Sequence, residues 1–171
     1  MRHYRINDQN PLKTKRLMIT PMRAGEIEPY ELSQQDELLR GALAEMRRNA
    51  AEYPEQALWH TGWRVTLRQT GEDVGLLAFH GVPADRTVEL GYDILAAHRG
   101  NGYAEEAVKA LCGWAFGRES VYFIRALADE QNGASNHILE KLKFYRIESP
   151  VEGLLCWELE RPASAWMPFY M

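Results

Sequence analysis

Between Ile94 and Phe116 the sequence reads ILAAHRGNGYAEEAVKALCGWAF, an apolar stretch that passes through Gly100-Asn101-Gly102 into a helical pattern. A strand that enters a helix through Gly-x-Gly exposes several backbone N–H groups, because the first turn of a helix has no internal acceptors and glycine lets ligand atoms come close. Backed by the positive end of the helix dipole, such amides make an anion cradle suited to a phosphate or pyrophosphate. The same glycines would equally serve a tight connection that binds nothing. A nucleotide triphosphatase loop is excluded, since no Gly-Lys-Ser/Thr follows. The dinucleotide fingerprint is excluded too, because Glu105 stands where its third glycine belongs. Upstream, alternation along TVELGYDI puts the carboxyls of Glu89 and Asp93 on one strand face. Downstream, NGASN brings Asn132 and Ser135 to the start of a second helical segment, where both side-chain types favour capping.

These residues need elements to hold them. RLMITPM (Arg16 to Met22) reads as a first strand that stops at Pro21, and the helix formers of residues 24 to 60 follow in two or three pieces broken near Pro29 and Pro54. WRVTLRQ and DVGLLAFHG flank a hairpin turn at TGE, and RTVELGYDIL adds a third strand to an antiparallel meander. In the helix after the glycines, Ala104, Val108, Leu111 and Ala115 form one apolar stripe that Trp114 widens, with Gly117 as terminator. SVYFIRALAD is a mostly apolar strand. Asn132 then caps a helix whose inward face is read as Ala134, Ile138 and Leu142, and GLLCWELER is the last strand. The order predicts an α+β domain around a central mixed sheet.

A chain of 171 residues, 46% hydrophobic and 26% charged, suits one globular domain, with a lead at residues 1–11 and an aromatic tail at 162–171. Its net charge of −4 argues against nucleic acid as partner. Cys112 and Cys156 form no metal pattern, so neither zinc nor a disulfide is expected. No apolar run reaches the ~20 residues of a membrane span, and no secretory signal opens the sequence, so a cytoplasmic protein without membrane contact is expected.

Arg99-Gly100-Asn101-Gly102-Tyr103-Ala104 resembles the Gln/Arg-x-x-Gly-x-Gly/Ala loop that holds the acyl-CoA pyrophosphate in the GNAT acyltransferases. LKTKRLMITPM resembles that family's opening strand, and ADEQNGASNHILEKLKF the end of its fifth strand and its fourth helix. The opening strand and the Asn-x-x-Ser step are most similar to the branch containing ribosomal-protein N-terminal acetyltransferases. The resemblance implies a mixed, mostly antiparallel sheet flanked by helices, with the fourth and fifth strands splayed around the reacting thioester. It implies acetyl-CoA as donor and no metal. The implied acceptor is a primary amine, on a small molecule or a peptide N-terminus, and a homodimer is compatible with it. Ile94, Leu95 and Ala96 would offer main-chain groups to the pantetheine arm, and Arg99, Gly100, Asn101, Gly102, Tyr103 and Ala104 would hold the pyrophosphate. Glu89 would take the proton of the amine, with Asp93 as the fallback, unless Glu89 simply faces solvent. The family's usual proton-donating tyrosine falls at Leu139, which leaves Ser135 as its substitute or as a helix-start residue, and Asn132 as a cap or a CoA contact. Without that tyrosine, an acyl-CoA-binding sensor or interaction protein that turns nothing over is the alternative. A second departure is Lys143, where the family commonly has glycine, so a differently shaped turn is expected. The acidic run Glu26, Glu28, Glu31, Asp36 and Glu37 would either favour a cationic amine or form a solvated helix face.

Overall fold

Alternating apolar residues do build the expected meander. In the computed structural model, which describes residues 10 to 163, the chain forms β1 (Leu12–Lys13), β2 (Leu17–Pro21), α1 (Ala24–Ser33), α2 (Glu37–Glu52), α3 (Ala57–His60), β3 (Gly62–Leu67), β4 (Asp73–Phe79) and β5 (Thr87–Ile94). There follow α4 (Tyr103–Phe116), β6 (Phe123–Asp129), α5 (Gly133–Lys141), β7 (Tyr145–Ile147) and β8 (Leu154–Glu160). One sheet of eight strands runs in the order β1-β2-β3-β4-β5-β6-β8-β7. Its ladders are antiparallel except between β5 and β6, because α4 crosses over to return the chain in the same direction. The aromatic tail at residues 164–171 and the lead at residues 1–9 lie outside the described residues.

The two faces of the sheet carry different helices. On one, α4 buries Val108, Leu111 and Ala115 of the predicted stripe against Val88 and Leu90 of β5 and Ile19 of β2. Trp114 widens the stripe into an aromatic cluster, with ring centroids 4.9 Å from Trp63, 5.0 Å from Trp59 and 5.8 Å from Phe79. On the other face, Met22, Ile27, Tyr30, Leu43 and Ala50 pack with Leu76 of β4, which seats α1 and α2 over the meander. No helix among the described residues is long and apolar enough to cross a membrane.

Three local expectations are corrected. Pro29 lies inside α1 instead of breaking it; the carbonyl it leaves without a helical donor is that of Gly25, an exposed residue in the first turn. The break comes at residues 34–36, where the Asp36 carboxylate accepts from the N–H groups of Leu38 and Leu39 and starts α2. In α5, Leu142 of the expected face packs against the core, but Ala134 is exposed and the fully buried residue is Leu139, so the inward face runs through Ser135, Leu139 and Leu142. The acidic run is partly spent on structure, with Glu31 on Arg47 at 3.2 Å and Asp36 as a cap.

Candidate active site

The strand-to-helix connection is built as an open cradle. After β5 a short 3-10 turn, Ala96–His98, leads to Gly100 at φ 80° and Gly102 at φ 79°, left-handed conformations that glycine adopts without strain. Among the described residues, the amide N–H groups of residues 100 to 105 have no acceptor, and the first helical donor in use is Glu106 N–H, on Gly102 O at 3.2 Å. A side chain added at Gly100 would meet nothing within 4 Å. A polyanion with many acceptor oxygens suits such a row of donors, and the pyrophosphate of acyl-CoA is one.

A clamp that no motif announces fixes the loop. Arg16, just before β2, donates from Nε to Glu106 Oε1 at 2.9 Å and from Nη1 to Asn101 O at 2.8 Å, and its guanidinium lies 4.6 Å from the Tyr103 ring centroid. The other Glu106 oxygen accepts from Thr14 Oγ1 and from Arg16 N–H. Burial works to raise the Glu106 pKa, but the bonds from Thr14 and Arg16 outweigh it and hold the carboxyl below its ordinary value.

Beyond the cradle lies the seam between β5 and β6. Their ladder has three pairs, Thr87–Phe123, Val88–Ile124 and Glu89–Arg125, although β5 continues to Ile94 and β6 to Asp129. On the β4 side, Leu95 N–H donates to Val74 O at 2.8 Å and His80 N–H to Glu89 O at 2.9 Å. The alternation of an antiparallel ladder therefore turns the amides of Tyr92 and Ile94 toward β6, past the last pair. Leu95 has its N–H committed to β4 and its carbonyl to His98, and Ile94 O accepts from Arg99 Nε at 2.9 Å. Of the expected pantetheine trio, the N–H groups of Ile94 and Ala96 are thus the uncommitted donors.

Glu89 and Ser135 stand on opposite faces of this seam. Glu89 shares the α1/α2 face with Gly91 and Asp93, and lines a cleft of about 370 Å³ with Arg125, Leu127, Ile147, Cys156 and the loop at residues 148–150. Its carboxylate is half-buried and has no partner among the described residues. Asp93 is exposed at the strand end and faces Arg99 Nη2 at 3.5 Å. On the α4/α5 face, the Ser135 hydroxyl is 2.6 Å from the Tyr92 hydroxyl, while the α5 cap comes from Asn132, whose Oδ1 accepts from Ser135 N–H at 3.1 Å. Burial pushes the Tyr92 phenol up, and its bond to Ser135 partly offsets this. The phenol is the stronger acid of the two hydroxyls and the better donor, which leaves the serine proton free to point elsewhere.

A model of the acetyltransferase (GNAT) domain matches residues 1–145. The chain belongs to this family. An N-acetyltransferase of Bacillus subtilis named YoaA, itself uncharacterized, is 29% identical over 122 residues, 71% of this chain and 68% of that one. Among solved structures, an acetyltransferase of Agrobacterium tumefaciens superposes with a TM-score of 0.67 at 22% identity, over 88% of this chain and 94% of the other. RimL, a ribosomal L7/L12 alpha-N-protein acetyltransferase solved with coenzyme A, gives 0.68 at 13% identity, over 88% and 98%. The protein is a GNAT acyltransferase with an eight-stranded mixed sheet, and its family draws acetyl groups from acetyl-CoA.

In this GNAT chain the turn after α5 keeps a left-handed residue where the sequence predicts a different shape. Lys143 has φ 73°, with its N–H on Glu140 O and that of Phe144 on Leu139 O, both at 3.0 Å. A lysine there carries strain that glycine would not. Lys143→Gly is expected to stabilise the fold by about 1 kcal/mol, read as a higher melting temperature, since relief of the left-handed penalty outweighs the added freedom of the unfolded chain. Equal or lower stability would show that the lysine side chain earns its place through contacts.

Sequence reasoning missed Arg16, Tyr92 and Arg125. Arg125 alone left a trace, as the single charge between Val121 and Ala128 in an otherwise apolar strand.

Proposed function

We propose that this GNAT enzyme transfers the acetyl group of acetyl-CoA to a primary amine by direct attack, with Glu89 as base and Ser135 as the group that assists the leaving sulfur. The observation that carries this reading is the abrupt end of the β5–β6 ladder at Glu89–Arg125. It supports divergence of the two strands, with the anion cradle and Ser135 on one side and an unpartnered carboxylate on the other.

Acetyl-CoA supplies an acetyl group activated as a thioester. Residues 99–104 would hold its pyrophosphate, and the Ile94 and Ala96 amides its pantetheine arm. Glu89 takes one proton from the acceptor ammonium, freeing the nitrogen lone pair to form the C–N bond as the C–S bond breaks. An amide N–H at Tyr92 or Ile94 is suited to polarise the thioester carbonyl. The Ser135 hydroxyl, receiving a bond from Tyr92, gives its proton to the departing sulfur, which leaves as the thiol, and the serine is restored by the second proton that the nitrogen sheds as the amide forms. Asn132 acts in this reading as the cap that fixes Ser135, and a CoA contact is secondary.

Incubation of the protein and acetyl-CoA with a panel of amines, scored by free thiol, tests the proposal. Binding of acetyl-CoA without thiol release for any amine would favour a sensor that has lost turnover. Ser135→Ala is expected to slow turnover with acetyl-CoA more than with a donor whose thiol is more acidic, because a better leaving group needs less help. Loss of the Tyr92 bond adds a stability cost of about 1 kcal/mol, readable in a melting curve. An equal slowing with both donors would remove Ser135 from leaving-group assistance.

A further inference from the structure

Glu89 and Arg125 are register partners on adjacent strands and line the same cleft, yet no ion pair joins them. Arg125 is instead turned away from β5 toward β8. Its Nε donates to Glu158 Oε2 at 2.7 Å, and the other Glu158 oxygen accepts from the Tyr145 hydroxyl at 2.8 Å, which raises the tyrosine pKa to about 12. Glu158 is buried, so this bridge fixes the guanidinium by one edge. The outer nitrogens, Nη1 and Nη2, have no acceptor among the described residues, and half of the side chain is open to solvent. A cleft made only for a cationic amine would gain nothing from a guanidinium beside its base, since like charges repel there. The carboxylates of Glu89 and Glu148 and the free guanidinium donors of Arg125, all lining one cleft, together complement a zwitterion. The planar fork of arginine matches a carboxylate in particular, and its bonds survive partial neutralisation by Glu158.

We infer that the acceptor is a small amino carboxylate, its ammonium group at Glu89 and its carboxylate at the outer nitrogens of Arg125. The inference rests on the acetyl-transfer reading above and adds the class of acceptor. A cleft of about 370 Å³ accommodates an amino acid whole.

The test uses matched pairs, each an amino acid and the amine that lacks only its carboxylate, with thiol release as the readout. Wild-type kcat/KM is expected to favour the amino acid by about tenfold or more, because a site with unpaired donors rejects the analogue that cannot fill them. Arg125→Gln should bring that ratio near one, and Arg125→Lys should keep part of it, with melting curves to establish that both variants fold. Should neither fold, N-blocked amino acids on the wild type replace them; inhibition competitive with the acceptor supports the inference, and its absence overturns it. A folded Arg125→Gln variant that keeps the wild-type ratio also overturns it. Release confined to amines without a carboxylate overturns this inference alone, whereas no release with any amine overturns the transfer reading as well.

Discussion

Replacing Glu89 by glutamine is expected to lower turnover by about 10²-fold or more and to flatten the acidic limb of the pH–rate profile, with little change in CoA affinity. The side chain is half-buried at the last pair of the β5–β6 ladder, and its carboxylate is bonded to nothing in the described residues, so glutamine removes a base without breaking an ion pair. Steady-state rates from acid to alkaline pH, beside a calorimetric titration of CoA, separate the two effects. Wild-type rates across pH would return Glu89 to a solvent-facing position on its strand. Asp93 would then be the next base to test, although its exposure and its contact with Arg99 at 3.5 Å suit it to the cradle rim.

Gly102→Val should weaken CoA binding by at least about tenfold while the protein still folds. Gly102 sits at φ 79° as the residue that starts α4, and a β-branched side chain in that conformation costs about 1–3 kcal/mol. The loop escapes that strain only by rotating its peptides, which turns the unpaired amides away from a common centre. If it does not rotate, the new Cβ lies 3.4 Å from Arg16 Nη2 and its methyl groups fill the space a phosphate would take. Titration of CoA into the folded variant reads the loss, and unchanged affinity would remove the loop from the site.

What could be read in the sequence followed local periodicity. The meander, the α4 stripe and the glycine turn each lie within a few residues, where alternation, helical spacing and positive φ leave direct marks. Two errors came from rules with an environmental exception: Pro29 is tolerated where the orphaned carbonyl belongs to an exposed residue, and the α5 face is rotated so that Ser135 and Leu139 join Leu142 on the inward side in place of Ala134. β1 and β7 are two and three residues long, too short for any pattern. The site partners were out of reach for a different reason. Arg16 meets Glu106 across 90 residues and Tyr92 meets Ser135 across 43, so only the fold brings them together.

The three-pair seam also changes what holds the sheet together along the length of β5. Up to Glu89 the strands β5 and β6 are joined by main-chain pairing, whereas past it the two halves of the sheet are held by the apolar core they share, in which Leu90 and Val108 cluster with Ala126, Ala128 and Leu139, and by two polar ties, Glu105 on Lys141 at 3.0 Å and the Tyr92–Ser135 contact. Apolar contacts fix register less strictly than a hydrogen-bonded ladder does, so the sheet is expected to be softer past Glu89 than before it. In this arrangement the hydroxyl pair that would meet the departing sulfur is also one of the few polar ties between the two halves of the sheet.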